Sequence, residues 1–193
     1  MSIVLRRATS EADLLAAYRL RYEGFVGQGI LDLDRPEQMI YDLFDALPTT
    51  TTIVAESDGV IVGTSRYTSH RAERHPCDDW IDWRARVPDG LIGSGSMAAT
   101  RPGRPAALLG LRLVDAAMEI AVEDGCTHGV AAVRPEVVPV FERLQWEALG
   151  EPFTHAHNRL PVVPMVVDLA HRRALSFSGA PRRPKRADYA ASD

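Results

Sequence analysis

Apolar and polar positions alternate from Ser2 to Ala8, which predicts a first strand. Thr9 or Ser10, followed by Glu11 and Asp13, then supplies a helix N-cap with acidic first-turn residues, where the exposed amides and the helix dipole favour them. In the helix that follows, Leu14, Tyr18, Arg21, Tyr22 and Phe25 recur at spacings of three and four, so apolar, aromatic and cationic groups share one face. Gly24, Gly27 and Gly29 break that helix. Met39, Ile40, Leu43 and Phe44 predict a second, short helix from Pro36 to Leu47, closed by Pro48.

Two β-rich runs, Thr51 to Glu56 and Val60 to Tyr67, are joined by Ser57-Asp58-Gly59, which is hairpin chemistry. From His70 to Gly93 the pattern dissolves into a long polar loop interrupted by Trp80, Ile81, Trp83 and Val87. A strand of small residues is predicted over Ile92 to Thr100. A long helix follows over Ala106 to Val122, with Leu109, Leu113, Ala117 and Ile120 on one face and a stop at Asp124-Gly125. Thr127 to Val133 reads as a strand, Pro135 to Leu144 as a helix, and Trp146 to Gly150 and Leu160 to Leu169 as strands. The order is strand, two helices, three strands, helix, strand, helix and two strands. It predicts an α/β (α+β) fold, a central mixed sheet flanked by helices.

With 193 residues, 46% hydrophobic and 25% charged, the chain can bury one sizeable core. We expect one domain over residues 1–170. Residues 171–193 carry six Lys/Arg against two Asp/Glu and read as a basic, disordered tail on an otherwise acidic body. Such a tail is expected to be a solvated end, with a phosphate- or nucleic-acid-binding segment as the alternative, and a nucleic-acid partner is not expected. The longest apolar runs are too short to span a bilayer and MSIVLRR lacks a signal peptide's apolar stretch, so a cytoplasmic protein without a membrane partner is expected. Cys77 and Cys126 have no paired spacing, which points to reduced thiols and no metal.

The chemistry concentrates where the strand of small residues turns into the long helix. Thr100-Arg101-Pro102-Gly103-Arg104-Pro105 sits at a helix start, where unsatisfied amides attract phosphate and Arg101 and Arg104 add charge. The alternative is a proline-started helix with two exposed arginines. Gly93, Ser94, Gly95, Ser96, Ala98 and Ala99 would let a ligand approach the backbone closely, or else simply permit tight strand packing.

This order of elements resembles the GNAT acyltransferases over about residues 2–169. In that family the strand before the long helix leads into Arg/Gln-x-x-Gly-x-Gly/Ala, whose amides hold the pyrophosphate of coenzyme A or a phosphopantetheine arm. Here Arg101-Pro102-Gly103-Arg104-Pro105-Ala106 stands in its place. Arg104 replaces a glycine and Pro105 removes an amide donor. By resemblance Met97, Ala98, Ala99, Thr100, Arg101, Gly103, Arg104 and Ala106 would bind acyl-CoA or an acyl-phosphopantetheine as co-substrate.

The first half is further similar to the acyl-homoserine-lactone synthases and the long-chain N-acyl amino acid synthases. Arg21 to Phe25 matches their Arg-x-x-x-Phe, Asp42 and Asp45 match Asp-x-x-Asp, and Gly63-Thr64-Ser65-Arg66 matches Gly-Thr-x-Arg. The resemblance makes Arg21, Phe25, Asp42, Asp45 and Arg66 substrate-site candidates; a scaffold of paired charges is the alternative. The run from Glu151 to Leu169 is similar to the closing strands of the N-acyl amino acid synthases. Two departures stand out. Ser94-Gly95-Ser96-Met97 replaces Glu-x-Ser-Arg, and Phe141 stands where many relatives carry a general-acid tyrosine.

The resemblance therefore implies an N-acyltransferase that moves a medium or long acyl chain to a small-molecule amine, with acyl carrier protein as a partner. An acetyl-CoA-dependent N-acetyltransferase and a non-catalytic binding module are the alternatives. A bulged strand at Ser96 to Ala99 would present an amide to the oxyanion, and Ser96 and Glu136 are the candidate catalytic residues. Trp80 and Trp83 are candidates for the acyl chain. His70, His128, His155 and His157 are open as bases.

Overall fold

The computed structural model describes residues 3–101, 106–155 and 160–172. Strand β1 (Ile3–Arg7) leads into helix α1 (Glu11–Phe25), whose N-cap Ser10 accepts a hydrogen bond from the Asp13 amide at 3.1 Å. Arg6 fastens this corner, donating to both carboxylate oxygens of Asp13 at 2.8 Å and to Glu56.

The helix predicted over Pro36 to Leu47 reduces to one 3-10 turn, Leu43–Ala46. Gln38 has φ of +51°, which no helix accommodates, and the Ile40 amide donates to the Tyr18 carbonyl, holding the segment against α1. Asp42 and Asp45 then form a reciprocal capping box around the 3-10 turn.

The hairpin pairs β2 (Thr50–Ser57) with β3 (Val60–Thr68) as expected. Its two turn residues, Asp58 and Gly59, have φ of +52° and +78°, the left-handed pair that matches strand twist. The long loop contains only the short helix α2 (Trp83–Arg86). Strand β4 (Ile92–Thr100), helix α3 (Ala106–Glu123) and strand β5 (His128–Val133) follow the sequence closely. After β5 a 3-10 turn (Pro135–Val137) runs into α4 (Val138–Arg143). The chain ends in β6 (Glu147–Ala148), β7 (Phe153–Thr154) and β8 (Pro161–Asp168). β6 is shorter than the strand expected over Trp146 to Gly150, the Trp146 amide being bonded back to the Phe141 carbonyl of α4, and the two-residue β7 carries no sequence pattern of its own.

The strands form one mixed sheet in the order β1-β2-β3-β4-β5-β8-β6, with β7 also on β8. All pairs are antiparallel except β4 and β5, which α3 connects. Alternation splits the core into two layers. Ala131, Met165 and Val167 pack with Leu109, Leu113, Ala117 and Met118 of α3, whereas Val130 and Val166 pack with Trp83 and Val87. Gly63 admits α3 to the sheet, since a Cβ there would lie 2.9 Å from Leu113 Cδ1. No helix among the described residues is long and apolar enough to cross a membrane.

Candidate active site

The parallel pairing of β4 with β5 stops at Ser94 and Val130, yet β4 runs on to Thr100 while β5 continues to Val133 along β8. A wedge therefore opens between residues 95–100 and 131–133. On its other edge β4 stays paired with β3, but with an irregularity: Arg66 faces Ser96 and Thr64 faces Ala99, so Met97 and Ala98 together oppose Ser65. This is a β-bulge, and Met97 takes φ of +53° within it. Ala98 is exposed, Met97 and Ser96 are half-buried, and Ala99 and Thr100 are buried. Arg101 is exposed and its amide donates to the Val62 carbonyl. Ala106 begins α3; Gly103 and Arg104 lie outside the described residues.

The charged candidates meet on the α1 side of this strand. Arg66 Nε donates to Ser96 Oγ at 3.0 Å, and its Nη1 reaches Asp42 Oδ1 at 2.5 Å and Asp45 Oδ2 at 2.9 Å. Arg21 Nη1 donates to both oxygens of Asp45, at 2.9 and 3.0 Å. Both arginines and Asp45 are buried, while the Asp42 side chain retains 35% exposure. Burial lowers the Arg21 pKa, and the Asp45 carboxylate opposes that shift. The guanidinium planes also lie over aromatic rings, Arg21 over Tyr18 and Arg66 over Phe44. Sequence reasoning missed these two rings. Tyr18, three residues before Arg21, carried a usable signal.

Two polar groups nearby have no hydrogen-bond partner among the described residues: Arg21 through Nε and Nη2, and Ser94 through Oγ. Gly24 brings α1 onto the strand, its Cα hydrogen facing Ala99. Phe25, half-buried, closes α1, and its carbonyl accepts from the Ile30 and Leu31 amides.

The two tryptophans separate. Trp80 lines a groove of about 430 Å³ with Ile81, Ala85, Leu149, Phe153 and Pro164, and stacks on Phe153 with ring centres 6.3 Å apart. Trp83 is only 2% exposed and sits in the core beside Ile92 and Val130, with its indole N–H on the Pro76 carbonyl. Glu136 forms an exposed pair with Arg134 at 2.7 Å. Phe141 is buried against Trp146, and His128 Nδ1 lies 2.9 Å from Thr127 Oγ1. The His155 ring lies 4.3 Å from Trp80; His157 is outside the described residues.

No curated protein sequence shows significant similarity to this chain. Among solved structures, FeeM, an N-acyl amino acid synthase from uncultured soil microbes, is similar with TM-score 0.74 at 16% identity, covering 88% of this chain and 92% of that one. BjaI, a CoA-dependent acyl-homoserine lactone synthase, gives TM-score 0.69 at 20% identity over 87% of this chain and 84% of that one. The acyl-homoserine lactone synthase LasI gives 0.67 at 16% identity over 87% and 90%. These likenesses establish the GNAT-like fold. Residues 16–168 match the family model described as "N-acyl amino acid synthase FeeM", a span that holds the Arg21–Asp45–Arg66 network and the wedge in β4. The chain belongs to the FeeM family of N-acyl amino acid synthases, acyltransferases that join an acyl group to the amine of an amino acid.

Proposed function

We propose that this enzyme transfers a medium or long acyl chain from a thioester, on CoA or on the phosphopantetheine of acyl carrier protein, to an amino acid. The observation that carries the reading is the hydrogen bond from Arg66 to Ser96, which ties the buried charge network directly to the splayed, bulged strand. The thioester lies in the wedge, with the arm running toward Arg101 and the start of α3, where exposed charge and helix amides favour phosphate.

Ser96 Oγ accepts from Arg66, which leaves its own proton available to a neighbouring oxygen. That proton and the amides along the open edge of β4 favour the oxyanion over the planar carbonyl. The amine nitrogen attacks the carbonyl carbon, the C–S bond breaks, and the thiol departs with a proton from the amine. Asp42 is the carboxylate of the network that an incoming ammonium can reach. The apolar chain extends toward the Trp80 groove, whose floor residue Pro164 pairs with Ala132 in the open half of β5. Its volume falls in the range of about 300–1,000 Å³ common for small-molecule sites.

The test is an acyl-length series, presented on CoA and on acyl carrier protein with a panel of amino acids, with products identified by mass spectrometry. Amine-dependent thiol release favouring chains of medium or greater length supports the reading. A preference for acetyl-CoA, or thiol release independent of amine, overturns it.

A further inference from the structure

A second set of reactive side chains lies on the α3 side of the sheet, where the end of β3 meets the turn from α3 into β5. Tyr67 follows Arg66 and so points to the opposite face. His70 comes two residues after β3 ends, Asp124 follows α3, and Cys126 comes after Gly125, whose φ of +83° turns the chain out of the helix. Gly93 makes the meeting possible: a Cβ there would lie 2.7 Å from the Tyr67 ring and 3.0 Å from Cys126 Sγ.

His70 Nδ1 is 3.5 Å from Cys126 Sγ and 3.4 Å from Asp124 Oδ2, and the three ligand atoms all lie within 4.8 Å of one another. Both contacts are made by the same ring nitrogen. A nucleophile, base and acid in relay would need the two imidazole nitrogens to face different partners, so the cluster is not a hydrolytic triad. The spacing suits a shared ion instead. Zinc bonded at about 2.3 Å to sulfur and about 2.0–2.1 Å to nitrogen and oxygen implies tetrahedral edges of roughly 3.6 Å (S···N) and roughly 3.3 Å (N···O).

The surroundings are those of ligands held in place. The Tyr67 hydroxyl donates to Asp124 Oδ2 at 2.8 Å and lies 3.2 Å from Cys126 Sγ. Ser69 Oγ donates to the same carboxylate oxygen, and Arg71 holds the other at 3.2 Å. Cys126 is 7% exposed, while the His70 and Asp124 side chains keep 17% and 16%, so the site is closed on the protein side and open on the other.

We propose that His70 Nδ1, Asp124 Oδ2 and Cys126 Sγ form a site for a tetrahedral divalent transition-metal ion of the zinc class, with water in the fourth position. Binding exchanges the thiol proton of Cys126 for the metal and releases that proton to solvent. The ion clamps the start of the loop that carries Trp80 to the joint between α3 and β5, on the face of the sheet away from Ser96.

The test is titration of the full-length, metal-free protein with Co²⁺, read by thiolate-to-cobalt charge-transfer absorption, and with Zn²⁺, read by thermal unfolding. One Co²⁺ per chain with a thiolate band is expected. Cys126→Ser should abolish the band, His70→Gln should weaken binding by roughly tenfold or more, and Cys77→Ser should leave it intact. Circular dichroism identifies any variant that fails to fold, and the two ligand variants serve as independent checks. At a fixed concentration, Zn²⁺ should raise the melting temperature of the parent protein more than that of either ligand variant. Absence of a thiolate band, a band that survives Cys126→Ser, or an equal Zn²⁺ effect in all variants overturns the proposal.

Discussion

Arg66 Nε donates to Ser96 Oγ at 3.0 Å, the one link among the described residues through which the buried charge network grips the splayed strand. Ser96→Ala removes the acceptor of a buried guanidinium, which costs about 1–3 kcal/mol of stability. It also removes the proposed oxyanion donor, so kcat should fall on the order of 100-fold with little change in KM for the thioester. Ser96→Thr keeps the hydroxyl and should recover most of the rate. Urea unfolding and initial-rate assays on both variants check this, and a Thr variant as slow as Ala would defeat the assigned role.

Asp42 and Asp45 look alike in sequence but differ in the fold. The Asp45 side chain is 3% exposed and shared by Arg21 and Arg66. Asp45→Asn leaves two buried guanidinium groups short of a counter-charge, with an expected cost of about 3–5 kcal/mol. Asp42→Asn, at the more exposed position, should cost about 1 kcal/mol while raising KM for the amino acid. Equal stability losses in the two variants would contradict this ordering.

Trp80 and Trp83 should separate in the same way. Trp83→Ala empties a core position and should destabilise by about 3–5 kcal/mol. Trp80→Ala should leave the unfolding midpoint nearly unchanged and shift the preferred acyl length, as seen in kcat/KM across the thioester series.

Acid should probe the Arg6–Asp13 corner. The Arg6 guanidinium, followed by the Thr9 amide, holds the Asp13 carboxyl well below the usual range. A depressed folded-state pKa contributes stability that is present above the unfolded value of about 4 and lost as pH falls toward the folded one. The melting-temperature gap between the parent protein and Asp13→Asn should therefore be widest near neutrality and narrow below about pH 4. A gap that widens on acidification would refute the assignment.

Much of this architecture is legible in the residues themselves. Asp58-Gly59 dictates the hairpin because both positions need positive φ, and the small residues of β4 anticipate a strand that something approaches closely. The charge network is legible only as a spaced pattern, since the residues of Arg21, Asp42 and Arg66 meet through tertiary packing. Gln38 defeats the helix expected over Pro36 to Leu47: its amide closes a turn on the Arg35 carbonyl at positive φ, and Ile40 then docks on Tyr18, a tertiary contact that helical spacing does not register. Trp80 and Trp83 are three apart in one loop, and spacing cannot tell the buried ring from the groove-lining one. Cysteine spacing likewise overlooked Cys126, because its companions His70 and Asp124 arrive from two different elements.

The bulge at Met97 is a phase shift in the strand. Beyond it, Ala99 shares a face with Ser96 although the two are three positions apart, and that offset turns Ala99 toward Gly24 of α1. Were all nine residues of β4 paired without the bulge, Ala98 would oppose Thr64 and everything after it would be rotated by half a turn, turning Ala99 to the α3 face. Helix α1 would lose its seat, and Arg21, one turn before Gly24, would be drawn out of register with Asp45. The sheet's local irregularity thus sets the alignment of a helix that is remote from it in sequence.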